Sequence, residues 1–385
     1  MTWRKIIVLL VVAGVLSAQS PVVFPKFRAP ELRIIPVQRL IDNLSAQVKN
    51  KPKDAAMRRN LARAHAMAWS NKGANVQVDR GRLWFGYPTQ PGKTKFIPFH
   101  VVNAKDEKQQ AAARKQLDAA ISQYREAVKL APNDAATFLG LAWVLDQAGK
   151  KNEARQLYRK SIEISEAIYA QLPPSFKTPF SANYIAVEAG EYLMAHLHPK
   201  KDAKEISEIM ARKAKIEKIP RLITPIAVPL KDELTEADIH NRAASVAFDA
   251  DGTGLPTRWT WLNDNAGWLV YDATGSGRIE SATQLFGNVT FMMFWQNGYE
   301  ALATLDDNGN GVIQGQELRH LAIWRDGNEN GVSDPGEVRS LSSYGIRELR
   351  CAATTNHEGV LFSPNGVVFA DGSTRPTFDV VIESN

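Results

Sequence analysis

Between Pro36 and Ile219 the apolar residues recur every three or four positions, the spacing of amphipathic helices. Leu117, Ile121, Tyr124, Val128 and Leu130 form one stripe, closed by Ala131-Pro132-Asn133-Asp134. Phe138, Leu141, Ala142 and Leu145 form the next. It ends at Gly149, which accepts the left-handed backbone that stops a helix. Ala154, Tyr158, Ser161 and Ile162 mark a third. Earlier helices are predicted over Val37–Val48 and Asp54–Trp69, and a last pair over Asn183–His196 and Ala203–Lys218. An insertion at 70–106 is rich in Gly, Pro and aromatic residues. Its Val76, Val78 and Leu83-Trp84-Phe85 predict a small hairpin. Pro220, Pro225 and Pro229 interrupt helix formation, so residues 220–235 are expected to be a linker. Alternation at Val360, Phe362, Val367–Phe369, Phe378, Val380 and Ile382 predicts a closing hairpin sheet.

Charge divides the chain at the same place. Residues 1–235 carry 38 Lys and Arg against 21 Asp and Glu, a balance of +17. Residues 236–385 carry 9 against 20, a balance of −11. The 385 residues, 44% of them hydrophobic and 23% charged, have an ordinary globular composition with room for two or three domains. The single cysteine, Cys351, excludes an intrachain disulfide. At the start, Arg4 and Lys5 precede an eleven-residue apolar run, Ile6–Leu16, then Ser17 and Ala18. That run suits a signal peptide over residues 1–20 and is shorter than the roughly 20 residues of a membrane span. Membrane attachment is expected only if this segment stays uncleaved.

Ala120, Tyr124, Ala127 and Pro132, followed by Phe138, Leu141, Ala142, Leu145, Gly149, Ala154, Tyr158 and Ser161, resemble the tetratricopeptide repeat, whose period is 34 residues. The clearest unit covers about 135–168, and helical repeats are expected over 36–219. The resemblance implies a concave groove for a protein or peptide partner, with Arg59, Arg63, Leu139 and Trp143 on its inner side. An architectural spacer with solvated basic residues is the other reading.

The acidic part carries the most specific chemistry. Asp306, Asn308 and Asn310 stand at places one, three and five of a twelve-residue loop, with Gly311 at six, Val312 at seven and Glu317 at twelve. Asp326, Asn328, Asn330, Gly331, Val332, Asp334 and Glu337 repeat the pattern, with Asp334 at place nine. Ca2+ takes six to eight oxygens at about 2.3–2.6 Å, and a tight glycine-bearing loop converges them from one short segment. Val312 and Val332 would contribute backbone carbonyls. Two upstream stretches, beginning at Asp249 and Asp272, have degraded patterns and read as turns that kept the loop shape. Only Leu318–Arg325 separates the complete loops, too little for two full helices. The series FDADGTG, WLVYDATGSGRI, QLFGN, NGYEALATLDDNGNGVI and IWRDGNENGVSDPGEV resembles EF-hand-like modules of large exported bacterial calcium-binding proteins, hemolysin-type and adhesin-like.

The expected architecture has two parts: an all-α tetratricopeptide-like array, then a small α+β domain over 236–385 with EF-hand-like calcium loops. No nucleophile elbow, zinc-protease helix or phosphate-cradling loop occurs, so no enzyme is expected. Nucleic acid is a poor partner, because no base-stacking motif accompanies the basic residues. His196 and His198, two apart, do not share a helix face. The functional expectation is an exported calcium-binding scaffold, periplasmic, cell-surface or extracellular. The alternative is a calcium-dependent carbohydrate-binding or adhesive module using Trp259, Trp261 and Trp268. N-terminal sequencing checks the export signal. The mature chain is expected to lack residues 1–20, and a chain found only in the cytoplasm with Met1 or Thr2 at its end would refute it.

Overall fold

Asp54, Asp106 and Asp134 accept hydrogen bonds from the backbone N–H of Met57, Gln109 and Ala136, and so satisfy donors that a helix start leaves open. These caps begin the second, third and fourth helices in the computed structural model, which describes residues 33–78, 101–171, 181–216, 222–250 and 256–384. The export signal and Leu83-Trp84-Phe85 lie outside the described residues. Strand β1 (Arg33–Ile35) leads into α1 (Val37–Asn50) and α2 (Ala55–Asn71). Strand β2 (Val76–Val78) pairs antiparallel with β1. Helices α3 (Glu107–Leu130), α4 (Ala135–Gln147), α5 (Lys151–Gln171), α6 (Ser181–Met194) and α7 (Ala203–Ile216) follow. Ala120, Ala127, Ala142 and Ala154 are fully buried. A Cβ added at Gly140 would overlap the buried Tyr124 ring, so α3 and α4 approach at a position that only glycine allows.

The C-terminal part is β-rich rather than α+β. Its two described α-helices, α8 (Glu236–Ile239) and α9 (Gly298–Leu302), have four and five residues. The strands are β3 (Leu222–Ile223), β4 (Ile226–Pro229), β5 (His240–Phe248), β6 (Thr257–Leu262), β7 (Ala266–Tyr271), β8 (Val312–Gln314), β9 (Leu321–Trp324), β10 (Val338–Ser340), β11 (Ile346–Arg350), β12 (Thr354–Thr355), β13 (Leu361–Phe369), β14 (Thr374–Asp379) and β15 (Ile382–Glu383). The main antiparallel sheet runs β10-β9-β7-β4-β14-β13-β11-β8, with β12 beside β13. The β13–β14 hairpin is the closing hairpin that the alternation predicted.

The proline-rich segment is not a linker. Ile226, Ala227 and Val228 are buried in β4, in the middle of the sheet between β7 and β14. Its prolines fall where a missing N–H does least harm: Pro229 ends the strand, and Pro225, just before it, accepts from Val380 N at 3.0 Å. The separation into independent halves therefore gives way. Residues from Glu31 to Asn385 form one compact unit, and a single apolar cluster runs from Leu40 and Leu139 through Phe291 to Ile313 and Leu349.

Asp379, at the end of β14, is buried and accepts from Gly298 N at 3.0 Å. Burial pushes its carboxyl up to about 7. The folded chain therefore holds a proton there that the unfolded chain releases, and stability falls as pH rises from about 4 to 7. Asp379→Asn keeps the acceptor and cannot ionise. Thermal melts at pH 5 and pH 8 are expected to show the variant gaining on the parent chain toward pH 8, by a few kcal/mol at most.

Candidate calcium loops and the repeat groove

Loop I (Asp306–Glu317) is shaped by its own short side chains. Asp306 accepts from the N–H groups of Gly309, Asn310 and Gly311 at 2.8, 3.2 and 2.7 Å. Asn308 accepts from Asn310 N and Asn310 from Val312 N. Glu317 closes the ring, accepting from Asp307 N at 2.9 Å and Gln314 N at 3.0 Å. Loop II (Asp326–Glu337) repeats most of this, with Asn328 and Asn330 Nδ2 donating to Asp334 at 3.1 and 3.0 Å where loop I has Asn308 Nδ2 donating to Glu317 at 3.1 Å. Asp326 accepts from Asn330 N and Gly331 N, Asn328 from Asn330 N, and Asn330 from Val332 N. Glu337 accepts from Gly327 N and Asp334 N. Places four and six are left-handed in both loops: Gly309 and Gly311 in loop I, Glu329 and Gly331 in loop II. At Glu329 a non-glycine residue takes that conformation. In each loop the acid at place one and the glutamate at place twelve thus bind the backbone N–H groups of the same short turn. Among the described residues, no group of three or more His, Cys, Asp or Glu side chains is gathered to hold a metal, so each loop would depend on its asparagine and carbonyl oxygens as well.

The degraded loop at 272–283 keeps the shape by other means. Asp272 accepts from Ser276 N and Gly277 N, as place one does in loops I and II. Gly275 and Gly277 are left-handed. Gln284, just past the loop, takes the glutamate's closing part: its amide donates to the Arg278 carbonyl at 3.1 Å and accepts from Glu280 N at 2.9 Å. The eighth residues couple this loop to loop II, since Ile279 N donates to Ser333 Oγ at 2.8 Å. Loops I and II do not pair in that way. Ile313, the eighth residue of loop I, is buried on β8 opposite Leu349 of β11. The 249–260 stretch lies partly outside the described residues.

The two complete loops have different surroundings. Loop II rests on an aromatic floor. Trp261 packs against Phe248, Trp268 and Trp324 with ring centroids 5.2–5.7 Å apart. Trp261 Nε1 donates to Asp326 at 2.9 Å, and Trp324 Nε1 reaches Glu337 at 3.4 Å. Burial pushes the Asp326 carboxyl above its ordinary value, and the Glu337 charge adds to this. Trp259, Trp261 and Trp268 are fully buried, so they offer no sugar-stacking face and the carbohydrate alternative loses its residues. Loop I instead meets α1. Arg39 donates to the Leu305 carbonyl at 2.6 Å and to Asp307 at 2.7 Å. Asn43 donates to the Thr304 carbonyl at 2.9 Å and to Asp307 at 2.8 Å, and Gln47 to the Ala303 carbonyl at 3.0 Å. Burial opposes ionisation of Asp307, yet the bonds from Arg39 and Asn43 hold its carboxyl below the ordinary value. Cys351 N donates to the Gly311 carbonyl, while burial, with Asp306 and Glu317 nearby, pushes its thiol up to about 12. That thiol stays protonated and is no nucleophile.

The expected groove residues are brought together, but the chain itself fills the place. Arg63 is buried and donates to the Met292 carbonyl at 2.5 Å, its guanidinium 4.6 Å from the Phe294 ring centre. Arg59 and Asn60 donate to the Phe294 carbonyl at 3.2 and 2.9 Å, and Arg59 also pairs with Asp134. Leu139 is fully buried, and Trp143 packs edge-on to Trp69 at 5.7 Å. Arg59 and Arg63 are therefore not open to a partner. The apolar turn Thr290–Gln296 of the β-rich part lies against α2, because its carbonyls need donors that the helix supplies. Phe291 and Met292 both have φ of 57°, a strained conformation for bulky residues. Burial lowers the Arg63 pKa to about 10, with Tyr124 and Glu188 opposing. His196 pairs with Asp146 at 2.9 Å and stacks on Tyr158, a packing role.

The sequence reading missed Arg39, Asn43 and Gln47. A signal was available: three long polar residues four apart, directly preceding the buried Leu40, Leu44 and Val48.

Comparison with known proteins fits this division. Residues 111–165 match the tetratricopeptide repeat and residues 235–383 match the SPM domain. The chain is 29% identical over 171 residues to the iron-regulated protein FrpA of Neisseria meningitidis serogroup C. That alignment covers 42% of this chain, and the chain spans 15% of the relative's length. The N-terminal half is thus helical with a tetratricopeptide match, a kind of repeat associated with protein–protein interaction. No helix among the described residues is long and apolar enough to cross a membrane.

Replacing the docking arginine measures the strength of the contact. Arg63→Met keeps the apolar stem and removes the donors, stranding the Met292 carbonyl. It is expected to cost about 3 kcal/mol in denaturant unfolding, whereas the exposed pair Arg125–Glu153 should contribute under about 1 kcal/mol.

Proposed function

We propose that this chain is an exported calcium-binding scaffold whose helical repeats clamp its own calcium-loop half, with Ca2+ as a structural ion. The supporting observation is the hydrogen-bond pattern that loops I and II share: in each, the acid at place one accepts from the N–H groups of places five and six, and the glutamate at place twelve from those of places two and nine. Asp306, Asn308, Asn310, the Val312 carbonyl and Glu317 would hold one ion. Asp326, Asn328, Asn330, the Val332 carbonyl, Asp334 and Glu337 would hold the other. Asparagine at places three and five lowers the ligand charge, so dissociation constants on the order of 10⁻⁵–10⁻³ M are expected, where extracellular modules sit. Export is supported by the basic start and short apolar core of residues 4–18. With Arg59 and Arg63 engaged by residues 292–294, a protein partner would use the outer surfaces of the repeats.

Calorimetry of the full chain tests the calcium reading. Free calcium at about 100 times the dissociation constant stabilises by roughly 2.7 kcal/mol per site. Because both halves share one core, the whole unit is expected to melt higher in millimolar calcium than in EDTA, helices included. Glu317→Gln and Glu337→Gln should each lose part of the difference. Equal melting temperatures in calcium and EDTA would overturn the reading.

A further inference from the structure

Loops I and II share the acids at places one and twelve and the backbone bonds these accept, and they differ in what holds them from outside. Loop II sits on buried tryptophans of its own half. Loop I is entered through residues 303–305, whose three successive carbonyls are bonded by Gln47, Asn43 and Arg39 of α1. The next residue, Asp306, is the first ligand place. The one after that, Asp307, points away from the loop interior and carries the Arg39 ion pair and a second Asn43 bond. Its backbone N–H donates to Glu317, the closing ligand. The backbone that positions both the first and last ligand of loop I is thus fixed by a helix of the repeat half, more than 250 residues away in sequence.

We propose that Arg39, Asn43 and Gln47 are positioning residues for loop I, so that calcium in loop I and docking of α1 are thermodynamically coupled while loop II is insulated. This rests on the calcium reading above. Coupling is reciprocal: whatever α1 contributes to holding the loop open for the ion, the ion returns to the docking of α1. The prediction is a response of one loop and not of the other to substitutions in α1, which lie outside both loops.

Asn43→Ala with Gln47→Ala in the full chain removes the amide donors, leaves every charge in place and favours the helix. Calcium affinity is read by titration calorimetry in two backgrounds. Glu337→Gln disables loop II and reports loop I; Glu317→Gln disables loop I and reports loop II. The double substitution is expected to weaken loop I about fivefold or more and to change loop II less than about twofold. Arg39→Lys, which keeps the charge but lacks the fork that reaches Leu305 and Asp307 together, should fall between. As an independent readout, calcium should slow hydrogen exchange of the α1 amides in the parent chain and not in Glu317→Gln. Equal weakening of both loops, or no change in loop I, overturns the coupling while leaving calcium binding intact. Absence of calcium binding in both backgrounds overturns the calcium reading and the coupling with it.

Discussion

The structure depends on a debt of hydrogen bonds in the turn Thr290–Gln296. Phe291 and Met292 sit in left-handed conformations that cost on the order of 1–3 kcal/mol each, and the turn's carbonyls lie outside any strand ladder. Helix α2 supplies the donors: Arg63 to Met292, Arg59 and Asn60 to Phe294. A guanidinium enters this buried place because it meets a carbonyl, an aromatic face and the nearby Glu188 charge together. Once α2 is held there, α1 is laid along residues 303–307, and the apolar faces of repeats and sheet merge into one cluster.

That docking changes the meaning of the repeat resemblance. Inner-face residues of a helical array are available for a ligand only where nothing else covers them. In this chain they are covered by its own β-rich half, so a face suited to a peptide serves as an internal joint. The same joint ties the helices to one loop and leaves the other on its tryptophan floor. The third loop, with Gln284 donating to the place-seven carbonyl, shows that the shape can be kept by a side-chain amide.

What the sequence by itself determined was local. Helix period and aspartate caps depend on residues within a turn or two. The loops were legible for the same reason: within twelve residues lie the first acid, the left-handed positions, the asparagine bridges and the closing glutamate. The final β13–β14 hairpin, paired across a short turn, was equally readable. Tertiary structure alone decided the rest, because it rests on contacts between distant segments. The three residues between Pro225 and Pro229 became a central strand only because β7 and β14, separated by more than 100 residues, close on either side. Trp261 was a floor rather than a binding face because Trp324 and Asp326 fold onto it. The arginines of the groove were spent on carbonyls more than 220 residues away, and only burial, which no periodicity reports, decides whether a basic residue meets water, a partner or its own chain.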